Sequence, residues 1–555
     1  MKKVVIFIFA VLFADGLLAS DKTVTSRVVA NPLNLNYRFE KSEPSRREAA
    51  DPEIILFKGK YYLFASKSGG YWSSPDLVDW TFIPCKTIST LEYYAPTVLA
   101  MGDTLFYLAS ISKKIHYTLN PDVDDWHTLE NCQFGISNTD HALFRDDATG
   151  RVYDYYGCSN VGPIYGVELD PANGFRSIGE PVTLIEHHPD IYGWERPGEN
   201  NEEIKNGWNE GANMLKHNGK YYLQYAAPGT QFRTYADGVY VSDAPLGPFK
   251  YMENSPFSLK PGGFIGGAGH GGTFCDKYGN YWHIATMKIS QRHSFERRLG
   301  LFPVFFDEDG SMNARTVLTD YPIVIPDRKV DFSRDNLSAG WKLLSYGKKV
   351  QVSSSLTGHE AEKAVNEQVE DWWASATGDA GEWLMVDLGK TLTVNAIHVN
   401  FADEGFTNKA ENSYVCYRYR IEASNDGERW TVFADRTQNT RDMPHELIVA
   451  PKAVKARFLR IVNEETLQGK FSISGFRVFG EKYKEQKING LKVEREADRC
   501  RYALQWDALP EATGYIVRWG LSPDKLHSAA MTYVNEFEAG FFNSEADYFF
   551  EVVSF

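Results

Sequence analysis

Between residues 51 and 284 one supersecondary unit recurs five times, and no other feature restricts the fold so strongly. Each copy runs from an opening residue into a short apolar strand, turns at or near a glycine, and returns through an aromatic-rich strand. The first opens at Asp51-Pro52-Glu53, turns at Lys58-Gly59-Lys60 and returns through Tyr61-Tyr62-Leu63-Phe64. The others open at Tyr94-Ala95-Pro96, Thr139-Asp140-His141, Glu210-Gly211-Ala212 and Gly269-His270-Gly271. A third β-rich segment follows each hairpin, and proline-containing turns lead on, in several copies, toward a fourth strand. Four short strands repeated radially is how a β-propeller avoids open sheet edges. The expected fold is all-β, with a five-bladed β-propeller over residues 21–326. A sandwich with similar turns has no reason to repeat the unit five times.

Register then points to a site. Counted back from the turns, Asp51, Tyr94, Asp140, Glu210 and His270 lie eight to ten positions upstream and read as equivalent positions. The first strand of each blade lines a propeller's channel, so these five side chains should converge at one end. The loops between second and third strands should ring that end and bring in Arg292, Arg297 and Arg298. So should the connection carrying Trp194, Glu195, Arg196 and Trp208. The hairpin turns, with Asp146 and Asp147, should face away.

Composition removes several alternatives. At 555 residues the chain is too long for one compact core. A formal charge of -14 argues against nucleic acid and anionic membrane as partners. Lys2 and Lys3 precede an apolar run from Val4 to Phe13, and Gly16, Ala19 and Ser20 follow. That pattern reads as an export signal over residues 1–20, too short to span a bilayer, so an exported (periplasmic or extracellular) soluble protein without a membrane span is expected. Six widely spaced cysteines include no C-x-x-C pair, which suggests free thiols rather than zinc or redox chemistry.

The ordered set Ala50-Asp51-Pro52, Asp140, Glu210-Gly211 and Gly269-His270-Gly271, with Arg297 six residues before Pro303, resembles glycoside hydrolase family 43. The resemblance covers roughly residues 31–325. It implies that Asp51 is a general base activating water, Glu210 a general acid protonating the leaving oxygen, and Asp140 a modulator of that acid's pKa. It further implies sugar contacts from Arg297, with Arg298 as the neighbour able to exchange roles with it. His270 would help hold a calcium ion on the axis, through water. Tyr94 and Trp208 are expected to contact substrate, and Glu195 is the rival for the acid. Asp140 is followed by His141, and Gly211 by Ala212, where the family usually has proline; this suggests a divergent subfamily.

Residues 327–346 read as a linker. Residues 347–482 resemble a discoidin-like (F5/8 type C) sandwich through Trp383-Leu384-Met385-Val386-Asp387-Leu388-Gly389 and Ala423-Ser424-Asn425-Asp426-Gly427, with Trp373 and Trp383 at core positions. Residues 487–555 resemble a fibronectin type III domain, either short of its last strand or atypical, through Tyr515-Ile516-Val517-Arg518-Trp519. The resulting expectation is an inverting exo-glycosidase acting on oligo- or polysaccharide. α-L-Arabinofuranosidase comes first, then β-xylosidase or a galactan- or galactofuranose-directed activity. A non-catalytic glycan-binding propeller is the alternative of a different class.

Overall fold

The computed structural model describes residues 27–43, 45–406, 416–466 and 468–555; the signal-peptide reading, at residues 1–20, lies outside them. Five four-stranded antiparallel sheets follow one another in strict chain order. Their strands run over Glu53–Pro84, Thr97–Thr128, Ala142–Ile185, Glu210–Tyr251 and Gly266–Ala314, one blade each. The aromatic return strands fill the gaps between blades. Phe64, Tyr71 and Tyr107 pack between blades 1 and 2, and Leu108, Tyr156 and Val167 between blades 2 and 3.

No blade is shared between the two ends of the propeller, so the ring closes by another device. Val28–Val29 pairs antiparallel with Ile323–Val324. The Asn31 side chain donates to Leu301 O and accepts from Leu301 N–H, and Leu33 N–H donates to Leu299 O. Leu33, Leu35 and Tyr37 then plug the blade 1–blade 5 gap against Trp72, Trp282 and Leu301.

Neighbouring blades are also stapled at their inner strands. Glu53 Oε2 accepts Val98 N–H at 2.9 Å, Thr97 Oγ1 accepts Leu143 N–H at 3.0 Å, and Asn213 Oδ1 accepts Thr273 N–H at 3.3 Å. These staples define the true register. Two residues before each of Glu53, Thr97 and Asn213 stand Asp51, Ala95 and Gly211; the same count gives Asp140 and His270 in blades 3 and 5. All five have left-handed backbone, with φ of 51°, 43°, 56°, 62° and 45° for Asp51, Ala95, Asp140, Gly211 and His270. The expectation that Tyr94 and Glu210 share the position of Asp51, Asp140 and His270 is therefore corrected: both lie one residue upstream. In blade 4 the pairing slips between Glu210 and Asn213, as it does in blade 5 between Gly269 and Gly272, and Glu210 lines the cavity despite the offset.

Two sandwiches follow. Eight strands between Trp341 and Lys482 form one continuous sheet in which Trp383–Phe401 and His445–Thr466 are long enough to cross both layers. Trp373 is buried in its core as expected, but Trp383 is only half-buried. The last sandwich packs a three-stranded on a four-stranded sheet, and Gln486–Lys487 takes the edge beside Phe549–Ser554. Its core is continuous with blade 4: Trp194, Tyr225 and Tyr251 share one apolar cluster with Trp519, Phe541 and Phe542. None of the six cysteines is paired. Among the described residues no helix is long and apolar enough to cross a membrane.

Candidate active site

Left-handed backbone is costly for any residue with a Cβ. Here it is held by a ring of hydrogen bonds, each from the strained residue's N–H to the preceding blade. Asp51 N–H donates to Thr286 Oγ1 at 2.8 Å, Ala95 N–H to Ser66 Oγ at 2.7 Å, and Asp140 N–H to Ser110 Oγ at 2.8 Å. Gly211 N–H reaches Asp140 Oδ2 at 3.4 Å, and His270 N–H reaches Asp237 Oδ1 at 2.8 Å. Gly211 has a second constraint, because a Cβ there would lie 2.6 Å from the His270 ring.

The ring brings Asp51, Asp140, Glu210 and His270 to the floor of one cavity of about 570 Å³. Half-exposed Tyr93, Tyr94, Trp208 and Phe295 stand around its mouth. His270 lies between two of the carboxylates, its Nδ1 3.3 Å from Asp51 and 3.8 Å from Asp140. Arg297 reaches Asp51 at 3.3 Å, Glu48 at 2.5 Å and Thr230 Oγ1 at 3.2 Å. Ser66 Oγ donates to the second oxygen of Asp51 at 2.5 Å. Glu210 accepts from Tyr235 on Oε1 at 2.7 Å and from the Cys158 thiol on Oε2 at 3.0 Å.

These surroundings separate the carboxyls. Burial works against charge on Asp51, yet Arg297, His270 and Ser66 together hold it below the usual range. Burial, and next the charge of Asp140, push Glu210 up to about 7. Asp140 is also raised, by burial first and by Asp51 after the opposing pull of His270. Burial disfavours charge on His270, but Asp51, Asp140, Glu210 and Asp237 outweigh it and raise its pKa. One carboxyl held below its usual range and another raised to about 7 are pushed apart in the way that acid–base chemistry uses.

Other expected residues separate cleanly. Arg298 turns away from the cavity, donating from Nε to His445 of the first sandwich at 2.9 Å. Arg292 packs on Trp372 and bonds Ala402 O in that same sandwich. The expected rim placement of Trp194, Glu195 and Arg196 is corrected. All three are buried; Glu195 accepts from Tyr225 and His188 N–H, and Arg196 pairs with Asp498 of the last sandwich at 2.5 Å. Burial pushes Glu195 up to about 7, but it does not line the cavity. Asp146 binds Lys216, Thr149 and Tyr221 at the far turn. Sequence reading placed the loops carrying Ser66, Cys158 and Tyr235 at this end but did not single out these residues, and it missed Ser110. The two serines were findable: Ala65-Ser66 and Ala109-Ser110 directly follow the second strands of blades 1 and 2 at the same register.

A pair of carboxyls with their pKa values pushed apart is what glycoside hydrolysis uses. Residues 45–312 match the family model described as "Glycosyl hydrolases family 43", and residues 349–474 match "F5/8 type C domain". The chain is therefore a glycoside hydrolase whose propeller is a family 43 domain, a family that inverts anomeric configuration. It is similar to a β-D-galactofuranosidase of Aspergillus niger, 24% identical over 304 residues and spanning 47% of this chain and 81% of that protein. A solved endo-1,4-β-xylanase structure from Bacteroides thetaiotaomicron is 22% identical, covering 52% of this chain and 99% of that one with a TM-score of 0.41. A family 43 protein from a Bacteroides ovatus xyloglucan locus is 14% identical, covering 95% and 99% with a TM-score of 0.43.

Proposed function

We propose that this enzyme is an exported exo-glycosidase that removes terminal furanose units from oligo- or polysaccharide, with α-L-arabinofuranosidase as the first reading. The observation that carries it is the divided carboxyl pair at the floor of a single aromatic-mouthed cavity. Asp51, held ionised, takes a proton from water as that water attacks the anomeric carbon. Glu210, held protonated, gives its proton to the departing oxygen. In an inverting enzyme the two stand about 6.5–9.5 Å apart to admit the water. Asp140 sustains the acid's protonation and, through Gly211 N–H, its backbone. Arg297 steadies Asp51 and faces the sugar, while Tyr94 and Trp208 supply stacking surfaces.

The A. niger relative favours a second reading, a galactofuranose-directed activity, because it too is named for a furanose. β-Xylosidase ranks behind both. The axial calcium belongs to the same proposal. Imidazole is a poor direct ligand for so hard a cation, so contact through water suits the donors present. Nδ1 of His270 is committed to the carboxylates, leaving Nε2 for such a water. Such an ion would supply positive charge to the carboxyls around His270. We propose further that residues 487–555 are a fibronectin type III-like domain with Gln486–Lys487 in the place of its final strand.

A panel of aryl arabinofuranosides, galactofuranosides and xylopyranosides, with the product anomer followed by NMR, tests the reading. Release of a single furanose with inverted configuration is expected. Retained configuration, or turnover confined to xylopyranosides, would overturn it.

A further inference from the structure

We infer that Cys158 is a positioning residue for Glu210: its thiol holds Oε2 weakly, in the cavity, so that this oxygen carries the proton delivered to the leaving group. The inference rests on the reading of Glu210 as the acid.

The geometry is built rather than incidental. Ser159 N–H donates to Asn209 O at 3.1 Å and Asn209 N–H returns to Ser159 O at 3.0 Å. That bridge locks the residue after Cys158 to the residue before Glu210. On the other side Gly157 N–H donates to Thr139 O at 3.1 Å, tying the same segment to the residue before Asp140. The thiol is thus fixed where two carboxyls meet, and ligand atoms of Asp140, Cys158 and Glu210 all lie within 4.8 Å of one another. Cys158 lines the cavity and is only half-buried.

The chemistry follows from unequal partners on the two oxygens of Glu210. Tyr235, buried, donates a strong O–H bond to Oε1 at 2.7 Å, which makes Oε1 the poorer seat for a proton. Oε2 faces a thiol, a weak donor and a weaker acceptor. A proton on Oε2 therefore has no good protein acceptor and turns into the cavity. In the reaction it passes from Oε2 to the glycosidic oxygen as that oxygen takes the electron pair of the breaking C–O bond. The sulfur keeps its own hydrogen and donates it to the carboxylate left behind. Burial and the two neighbouring carboxyls hold the thiol protonated throughout. A serine hydroxyl in this place would bind the ionised carboxylate more strongly and make Glu210 a stronger, earlier-ionising acid.

Three full-length variants test this. Titration of the Glu210 carboxyl by 13C NMR, its signal identified by loss in Glu210→Gln, is expected to move down by about half a pH unit in Cys158→Ser. Cys158→Ala is expected to lower kcat/KM about tenfold on a methyl glycoside of the sugar released in the panel above. On the 2,4-dinitrophenyl glycoside, which needs little protonation, it should change less than about twofold; that substrate also reports folding. An unmoved titration in Cys158→Ser, or equal losses on both leaving groups in Cys158→Ala, would overturn the inference. If Glu210→Gln itself shows no leaving-group dependence, the assignment of the acid fails instead.

Discussion

Two groups of buried charge, one around Arg47 and one at the cavity floor, differ in how their carboxyls are matched to cations. Arg47, wholly buried, spans from the propeller to the first sandwich. It binds Asp403 through Nε at 2.7 Å and through a second nitrogen at 3.2 Å, Asp442 at 2.6 Å and Tyr37 O at 2.9 Å. Tyr417 completes Asp403 at 2.6 Å. Burial opposes charge on Asp403, but Arg47 overcomes it and holds the carboxyl below its usual range. Asp442 shares the same guanidinium through one contact, and burial pushes it up to about 6. Four residues past Arg47, Asp51 belongs to the other group, with Asp140 and Glu210: His270 stands between Asp51 and Asp140, and Arg297, already engaged with Glu48, reaches Asp51. There Arg297, His270 and Ser66 answer burial at Asp51, but burial and Asp140 push Glu210 up to about 7. A cation matched to its carboxylates by geometry gives a fixed joint between domains. Carboxyls left short of cations give groups that titrate near the pH at which they work.

The largest effects should come from removing members of the unmatched group. Asp51→Asn is expected to lower kcat/KM by about 10³-fold or more whatever the leaving group, because activation of water precedes every departure. Glu210→Gln should cost about 10²–10⁴-fold on an alkyl glycoside and far less on a dinitrophenyl one. Equal sensitivity of both variants to the leaving group would erase the division between base and acid. Arg47→Met breaks the other side of the comparison. It leaves Asp403 and Asp442 buried without their cation and should cost about 3–5 kcal/mol in denaturant-induced unfolding. Glu210→Gln, by relieving like-charge repulsion, should leave stability unchanged or raise it. A loss of stability in Glu210→Gln as large as that in Arg47→Met would mean that the two clusters do not differ.

The blades were legible because a propeller's hairpins are local. Gly59, Gly102, Gly219 and Gly279, with aromatic returns behind them, mark the blades without any distant contact. The offset of Tyr94 and Glu210 was not legible. A count from the turn resolves a strand only to within a residue or two, because Asp51 and Gly211 stand eight residues before their turn glycines, Ala95 seven and Asp140 ten. The 186–209 connection failed for a different reason. Trp194 and Glu195 look like rim residues by composition, but the last sandwich, three hundred residues away in sequence, covers them: Gly193 N–H donates to Phe542 O at 3.0 Å. Arg297 and Arg298 are likewise indistinguishable as letters, and the alternation of their strand sends one to Asp51 and the other to His445.

pH sharpens the comparison with a smaller effect. The acid must be protonated, so kcat/KM is expected to fall as pH rises through about 7, the value to which burial and Asp140 push Glu210. On the acid side it should fall only below the usual aspartate range, where Asp51 finally protonates. Asp140→Asn removes the second of the two causes that raise Glu210, so the basic limb should move to lower pH. Stability has the same sign. The folded-state pKa of Glu210 is above its unfolded value, so its contribution is present below the unfolded value and lost as pH rises through about 7. Asp403 runs the other way, its contribution present above the unfolded value and lost as pH falls through the folded one. A basic limb unmoved in Asp140→Asn would separate Asp140 from the acid.

The smallest effect tests whether the propeller's frame and its site can be separated at all. Thr97 Oγ1 accepts Leu143 N–H between blades 2 and 3 and touches none of the cavity's carboxyls. Thr97→Val keeps the shape and removes the acceptor, leaving a buried N–H without a partner at a cost of about 1–3 kcal/mol. Leu143 stands three residues past Asp140, whose own N–H is held independently by Ser110. If the ring of left-handed residues is fixed by its hydroxyl anchors, Thr97→Val should lower the denaturation midpoint while kcat/KM and its pH limbs stay in place. Ser110→Ala should do the reverse, disturbing the pH profile through Asp140 more than the midpoint. A shift of the basic limb in Thr97→Val would show that Asp140 is positioned by the blade as a whole rather than by its anchor.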